Sequence, residues 1–254
     1  MHCGGLCDRL NGLITATYLA EQLNRQIQLH WYPSPENNCT WTDLFINPQF
    51  QKPTHQTQNK INIGLWFPDS PPNYRQWTLQ NYQKIPPTTT INYWSPFLTN
   101  LVPHTDRTRI AKTFTPQPTI QQKINTLKQQ CNINKTVIGI QARETDKQQD
   151  STYNPHRVHN IIANTLQNNP QQRILLCSDS PETEHYFTQQ YPHNIITRPK
   201  TYPTCKPPYK PGTANRSLES VIDALIDLHL LAATTYIPIP HPYSHYNQYV
   251  PYLQ

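Results

Sequence analysis

In the second half of this chain, short apolar runs alternate with longer helical patterns, and that alternation restricts the fold more than any other feature. Strand-length apolar runs fall at 136–141, 173–177, 194–197 and 235–239, with helical patterns at 155–167, 181–190 and 218–233 and a last helical segment from about 243. Strands joined by helices are too far apart in sequence for hairpins, so they pair in parallel with the helices as crossovers. The expected class is therefore α/β with a parallel sheet. The pattern sharpens from about residue 129, which sets a division into 1–128 and 129–254 near Lys128-Gln129-Gln130.

The first half is less legible. After a Gly-containing turn at 3–7, Leu10, Leu13, Ala16, Ala20 and Leu23 form a helical stripe, with Asp8 placed as its N-cap. Gln26 to Trp31 alternates polar and apolar residues and predicts a strand, completing the front of a βαβ-like unit. From about 33 to 120 the chain is rich in proline and polar residues. Its aromatics Trp66, Phe67, Trp77, Tyr93, Trp94 and Phe97 fit either a small core or a sugar-stacking surface.

Bulk properties exclude some classes. The net charge is +6, but only 14% of residues are charged and no Lys/Arg run interleaves with aromatics, which argues against nucleic acid and suits a small anionic ligand. No run approaches the roughly 18 apolar residues of a membrane span. Met1-His2-Cys3-Gly4-Gly5 has neither the basic nor the apolar segment of a secretory leader. The cysteines at 3, 7, 39, 131, 177 and 205 are scattered and complete no metal-ligand set, so they read as free thiols in a reducing compartment, and a cytoplasmic location is expected.

The candidate chemistry lies at strand ends, where open α/β sheets bind ligands. Val137 to Gln141 runs into Arg143-Glu144-Thr145-Asp146-Lys147. Arg143 offers a planar fork suited to phosphate, or else pairs with Glu144 or Asp146. Ser178-Asp179-Ser180 follows the next strand and serves a ligand, caps the helix beginning at Pro181, or does both. Asp223 and Asp227 share one face of a helix that is apolar nearly all round. A buried aspartate there needs a ligand or a protein partner. Ser244 stands where a helix N-terminus favours an anion, or else simply caps that helix.

Together these segments resemble the fucosyltransferase superfamily that includes the α1,6- and nodulation-type fucosyltransferases and, more distantly, the protein O-fucosyltransferases. Gly4-Gly5-Leu6-Cys7-Asp8-Arg9-Leu10 resembles the family's Gly-rich loop, and Gly139 to Lys147 resembles its His-x-Arg-Arg-Thr-Asp-Lys motif. Cys177-Ser178-Asp179-Ser180, Ala224 to Leu231 and Ser244-His245-Tyr246-Asn247 resemble the strand-end, aspartate-helix and closing motifs. The resemblance implies a GT-B-like fold of two Rossmann-type domains facing a central cleft, with the acceptor side in 1–128 and the nucleotide sugar in 129–254. It implies inverting, metal-independent transfer of fucose from GDP-fucose to a glycan hydroxyl. Arg143 would bind the β-phosphate, Ser244 the donor and Asp227 the guanine, with Gln141, Ser178 and Asp179 also lining the donor site and Lys147 near the reacting groups. Departures accompany it: Gln141 replaces a guanine-holding histidine, Glu144 replaces a second arginine, and Ser151 stands where the α1,6 enzymes carry a base, leaving adjacent Asp150 as the proton acceptor. Pro238, Pro240 and Pro242 occupy a segment that is Gly/Ser-rich in relatives. Those departures keep two alternatives: a non-catalytic nucleotide- or glycan-binding relative, and a transferase using another nucleotide sugar.

Overall fold

A computed structural model describes residues 5–27, 29–46, 50, 60–63, 83–84, 86, 90–93, 102–144, 156–204, 215–239 and 245–254. The helices are α1 (Leu6–Gln22), α2 (Trp41–Leu44), α3 (His104–Ala111), α4 (Pro118–Gln130), α5 (His156–Asn168), α6 (Pro181–Gln190), α7 (Leu218–Ala232) and α8 (His245–Tyr249), with a closing 3₁₀ turn at Val250–Leu253. The strands are β1 (Lys60–Ile63), β2 (Thr90–Tyr93), β3 (Ile138–Ala142), β4 (Ile174–Ser178), β5 (Ile195–Ile196) and β6 (Thr235–Ile237). β1 and β2 pair in parallel.

The larger sheet has the order β5-β4-β3-β6 with every pair parallel. Ile140 lies opposite both Leu176 and Ile237. The chain winds outward from β3 to β5 and then returns to the other side of β3. That reversal between β3 and β6 is the switch point where doubly wound sheets open a ligand crevice. Sheet burial follows the two-residue period. Ile140, Ala142, Ile174 and Leu176 pack with Val158, Ile162 and Phe187 from α5 and α6. Val137, Leu175 and Cys177 face the other core, with Val221, Leu225 and Leu228 of α7. Each fully buried aliphatic contributes about 1.5–3 kcal/mol, so strands buried on both faces hold firmly without alternation in their sequence. Gly139 lets α7 come close: a Cβ there would meet Thr234 Oγ1 at 2.1 Å and Leu231 Cδ2 at 3.1 Å.

Three first-half features differ from the sequence reading. The described residues of 26–31 form no strand. Their alternation is real, since Trp31 is buried, Ile27 and Leu29 are half-buried, and Gln26 and His30 are exposed. Alternation reports sidedness and does not supply a pairing partner. The N-cap of α1 is Gly5, not Asp8. Asp8 acts from the third helical position, where its Oδ2 accepts the Gly5 N–H at 2.7 Å. Helices α3 and α4 occupy a stretch whose proline and polar residues obscure helical periodicity, although Ile120, Ile124 and Leu127 have helical spacing and Pro118 opens α4. Residue 128 lies in the last turn of α4. The first-half core is aromatic: Trp41 stacks on Phe45 at 4.3 Å and meets Trp31 and Phe114 edge-on at 5.5 Å. Trp66, Phe67, Trp77, Trp94 and Phe97 lie outside the described residues, and Tyr93 is described only as the end of β2.

Candidate functional site

The strand ends do form a cleft. β3 contributes Gln141 and, just beyond its end, Arg143; β4 contributes Ser178 and, just beyond its end, Asp179; α7 contributes Asp223 and Asp227. Gly5, Cys7 and Asp8 close it from the start of α1, and His245 and Tyr246 close it from α8. It encloses about 780 Å³, counting the space open to solvent. Six candidates named from sequence, Gln141, Arg143, Ser178, Asp179, Asp223 and Asp227, therefore line one cavity. Lys147, Asp150 and Ser244, together with Asp146, lie outside the described residues.

Local bonds fix this rim. Asp179 Oδ1 accepts the Glu144 N–H at 2.7 Å, tying the segment after β3 to the end of β4. Ser178 Oγ accepts the Ser180 N–H at 3.1 Å, and Ser180 Oγ caps α6 by accepting from Thr183 N at 3.2 Å. Ser180 thus serves as the cap its position before Pro181 suggested. Burial, reinforced by the Asp179 carboxylate, pushes the Glu144 pKa up to about 7.

Asp227 has protein partners. Its Oδ1 accepts from Arg198 Nε at 2.7 Å and its Oδ2 from Lys200 Nζ at 2.8 Å. Asp223 takes Arg198 Nη1 at 2.8 Å and the Thr201 N–H at 2.8 Å. Burial pushes the Asp223 carboxyl up, but the Thr201 N–H and Arg198 more than offset that and hold it below the ordinary range. Glu184 completes the group: it lies 2.5 Å from Lys200 Nζ, and accepts from the Ser178 N–H at 2.7 Å and the Tyr202 hydroxyl at 2.6 Å. Two buried cations and three acids thus form one ion-pair cluster, of which Lys200, Asp223 and Asp227 reach the cleft wall. Sequence reading missed Arg198, Lys200, Glu184 and Tyr202. The signal was indirect: two acids on an apolar helix require cations, and Arg198-Pro199-Lys200 follows β5.

At the mouth, Asp8 pairs with His245 across 237 residues of chain. Burial opposes ionisation of Asp8, yet the bond and charge of His245, the charge of Arg143 and the Gly5 N–H hold its pKa below the usual value. Cys7 and Cys177 also line the cleft, but burial pushes both thiols well up, which keeps them protonated and poor nucleophiles. Among the described residues no group of three metal-ligating side chains occurs, and no helix is long and apolar enough to cross a membrane.

No protein-family model and no curated protein matches the sequence. Solved structures do match its fold. The fucosyltransferase NodZ from Bradyrhizobium superposes with a TM-score of 0.66 at 17% identity, over 97% of this chain and 88% of that one. NodZ alpha-1,6-fucosyltransferase soaked with GDP-fucose gives 0.60 at 17%, over 98% and 89%. POFUT1 in complex with GDP gives 0.57 at 11%, over 99% and 92%. The chain has the mixed α/β fold, with a parallel sheet, of these fucosyltransferases.

Proposed function

We propose that the protein is an inverting, metal-independent glycosyltransferase that moves fucose from GDP-fucose to a glycan hydroxyl. One observation carries the proposal: Arg143 stands past the carboxyl end of β3, in a switch-point cleft shared with Gln141, Ser178, Asp179 and Asp227. The fold likeness to structures holding GDP or soaked with GDP-fucose supports it. In this reading the architecture is of GT-B type, with residues 1–128 serving the acceptor and 129–254 the donor. The free thiols of Cys7, Cys39, Cys131 and Cys177 support a cytoplasmic setting.

The acceptor oxygen attacks the anomeric carbon, and the bond from that carbon to the β-phosphate oxygen breaks on the opposite face. Its electron pair leaves with GDP, where the Arg143 guanidinium stabilises the developing charge. Asp150 takes the hydroxyl proton, with Asp146 the second choice, and Lys147 lies near the reacting groups. Gln141 and Asp227 contact the base, Ser178 and Asp179 line the donor, and Ser244 reaches a phosphate. A second reading, another nucleotide sugar or binding without turnover, is favoured by the occupation of both Asp227 oxygens and by the acid at Glu144.

Thermal shift with GDP, UDP and ADP, with and without magnesium, tests the proposal. GDP should stabilise selectively and without metal, by about 2.7 kcal/mol at a hundredfold excess over Kd. Arg143→Ala should lose that stabilisation; a full shift in the variant removes Arg143 from its role. Stabilisation by GDP with no release of GDP from GDP-fucose across glycan acceptors supports the binding-only reading.

A further inference from the structure

Among the described residues, three Lys or Arg side chains line the cleft: Arg143, Lys200 and Arg216. Lys200 is committed to Glu184 and Asp227. Arg216 is different. Its backbone N–H donates to the Pro35 carbonyl at 2.8 Å, which anchors the chain just before the Ser217 cap of α7. Its half-buried guanidinium makes no hydrogen bond or ion pair among the described residues. The charges of Arg143 and Arg216 both oppose the burial-driven rise of the Cys7 thiol, so both act on the same stretch of cleft wall. Ser220 and Val221, in the first turn of α7, line that cleft as well. The positive end of a helix adds to the field there.

We propose that Arg216 is a second guanidinium grip on the donor's diphosphate, acting with Arg143. The inference rests on the nucleotide-sugar reading above. A guanidinium held in a cleft without an acid partner loses part of its hydration and recovers that loss when an anion arrives. Together with Arg143, Arg216 places two guanidinium forks in one cleft, and the charge of two adjacent phosphates suits such a pair better than that of a single carboxylate. The placement also answers a local deficit. The position after Arg143 is Glu144, an acid, and Arg216 brings a second positive charge to the same cleft from the segment before α7.

Isothermal titration of GDP, guanosine and inorganic pyrophosphate into the wild type, Arg216→Ala and Arg216→Lys tests this. Arg216→Ala should weaken GDP and pyrophosphate by roughly tenfold or more and leave guanosine unchanged. Arg216→Lys, which keeps the charge but not the fork, should recover part of the loss and guards against a folding defect in the alanine variant. Unchanged GDP and pyrophosphate affinities in Arg216→Ala, or an equal loss for guanosine, overturn the proposal. If the wild type binds pyrophosphate through Arg216 but ignores GDP, the donor assignment fails while Arg216 keeps its role. If GDP binding needs Arg143 and not Arg216, only the present inference fails. A wild type that binds neither ligand ends both.

Discussion

Glu144 carries the most consequential single charge at this site. Its pKa of about 7 is raised by burial and by Asp179, whereas an unfolded glutamate titrates near about 4.3. A raised carboxyl contributes stability that is complete below the unfolded value and lost as pH climbs through about 7. The same proton affects binding, because an ionised Glu144 repels a diphosphate held at Arg143. GDP affinity should therefore rise as pH falls from about 8 to about 6, and Glu144→Gln should show a flatter profile at the tight end. The phosphate's own titration is common to both proteins and cancels in the difference. Parallel profiles for the two proteins would detach Glu144 from the ligand. Asp227 makes a contrasting case. Its alanine variant leaves Arg198 and Lys200 short of a buried partner, and breaking such pairs costs about 3–5 kcal/mol. The loss should sit near the lower end because Asp223 and Glu184 remain in place. Urea unfolding without nucleotide measures it, and a loss below about 1 kcal/mol would mean that Asp227 serves a ligand rather than the fold.

The interlock of α7 with β3 passes through Gly139, where any Cβ collides with Thr234. Thr234 cannot move easily, since its Oγ1 donates to the Leu231 carbonyl at 2.6 Å in the tight turn into β6. Gly139→Ala should cost about 1–3 kcal/mol as an overpacking change. At roughly 2–4 °C per kcal/mol for a chain of this size, a melting curve will resolve it. Removing the blocking oxygen with Thr234→Ala should make the double variant more stable than the sum of the single losses; strict additivity would show that the clash is relieved elsewhere. Helices α5, α6 and α7 lie within a residue of their sequence expectations, because amphipathic periodicity and caps such as Ser180 and Ser217 are local. The segment at 26–31 shows the limit of that reasoning. Its side chains alternate as a strand's do, yet a strand also needs a neighbour, and no pattern within six residues supplies one.

One core cluster runs from Leu6 in α1 to Tyr252 in the closing turn, and passes through Trp41, Ile124, Leu175 and Leu228. Arg107 of α3 reaches the Tyr252 hydroxyl at 2.9 Å, so the end of the chain is anchored against its first half. Halves that share a core should unfold together. Calorimetry should show one transition with matching calorimetric and van't Hoff enthalpies, and two separated peaks would refute the shared core. By itself the sequence determined the order of strands and helices in 129–254, the position of Arg143 past a strand end, and the two acids on one face of α7. Those properties follow from periods of two and 3.6 residues and from capping rules, which act within a few residues. Only the tertiary structure decided that Asp227 meets Arg198 and Lys200, that Asp8 meets His245, that Asp179 holds the Glu144 amide, and that Arg216 shares a cavity with Arg143. These partners depend on strand order and on which loops return to the same sheet edge. That information lies in the global minimum of packing and in no local stretch of chain.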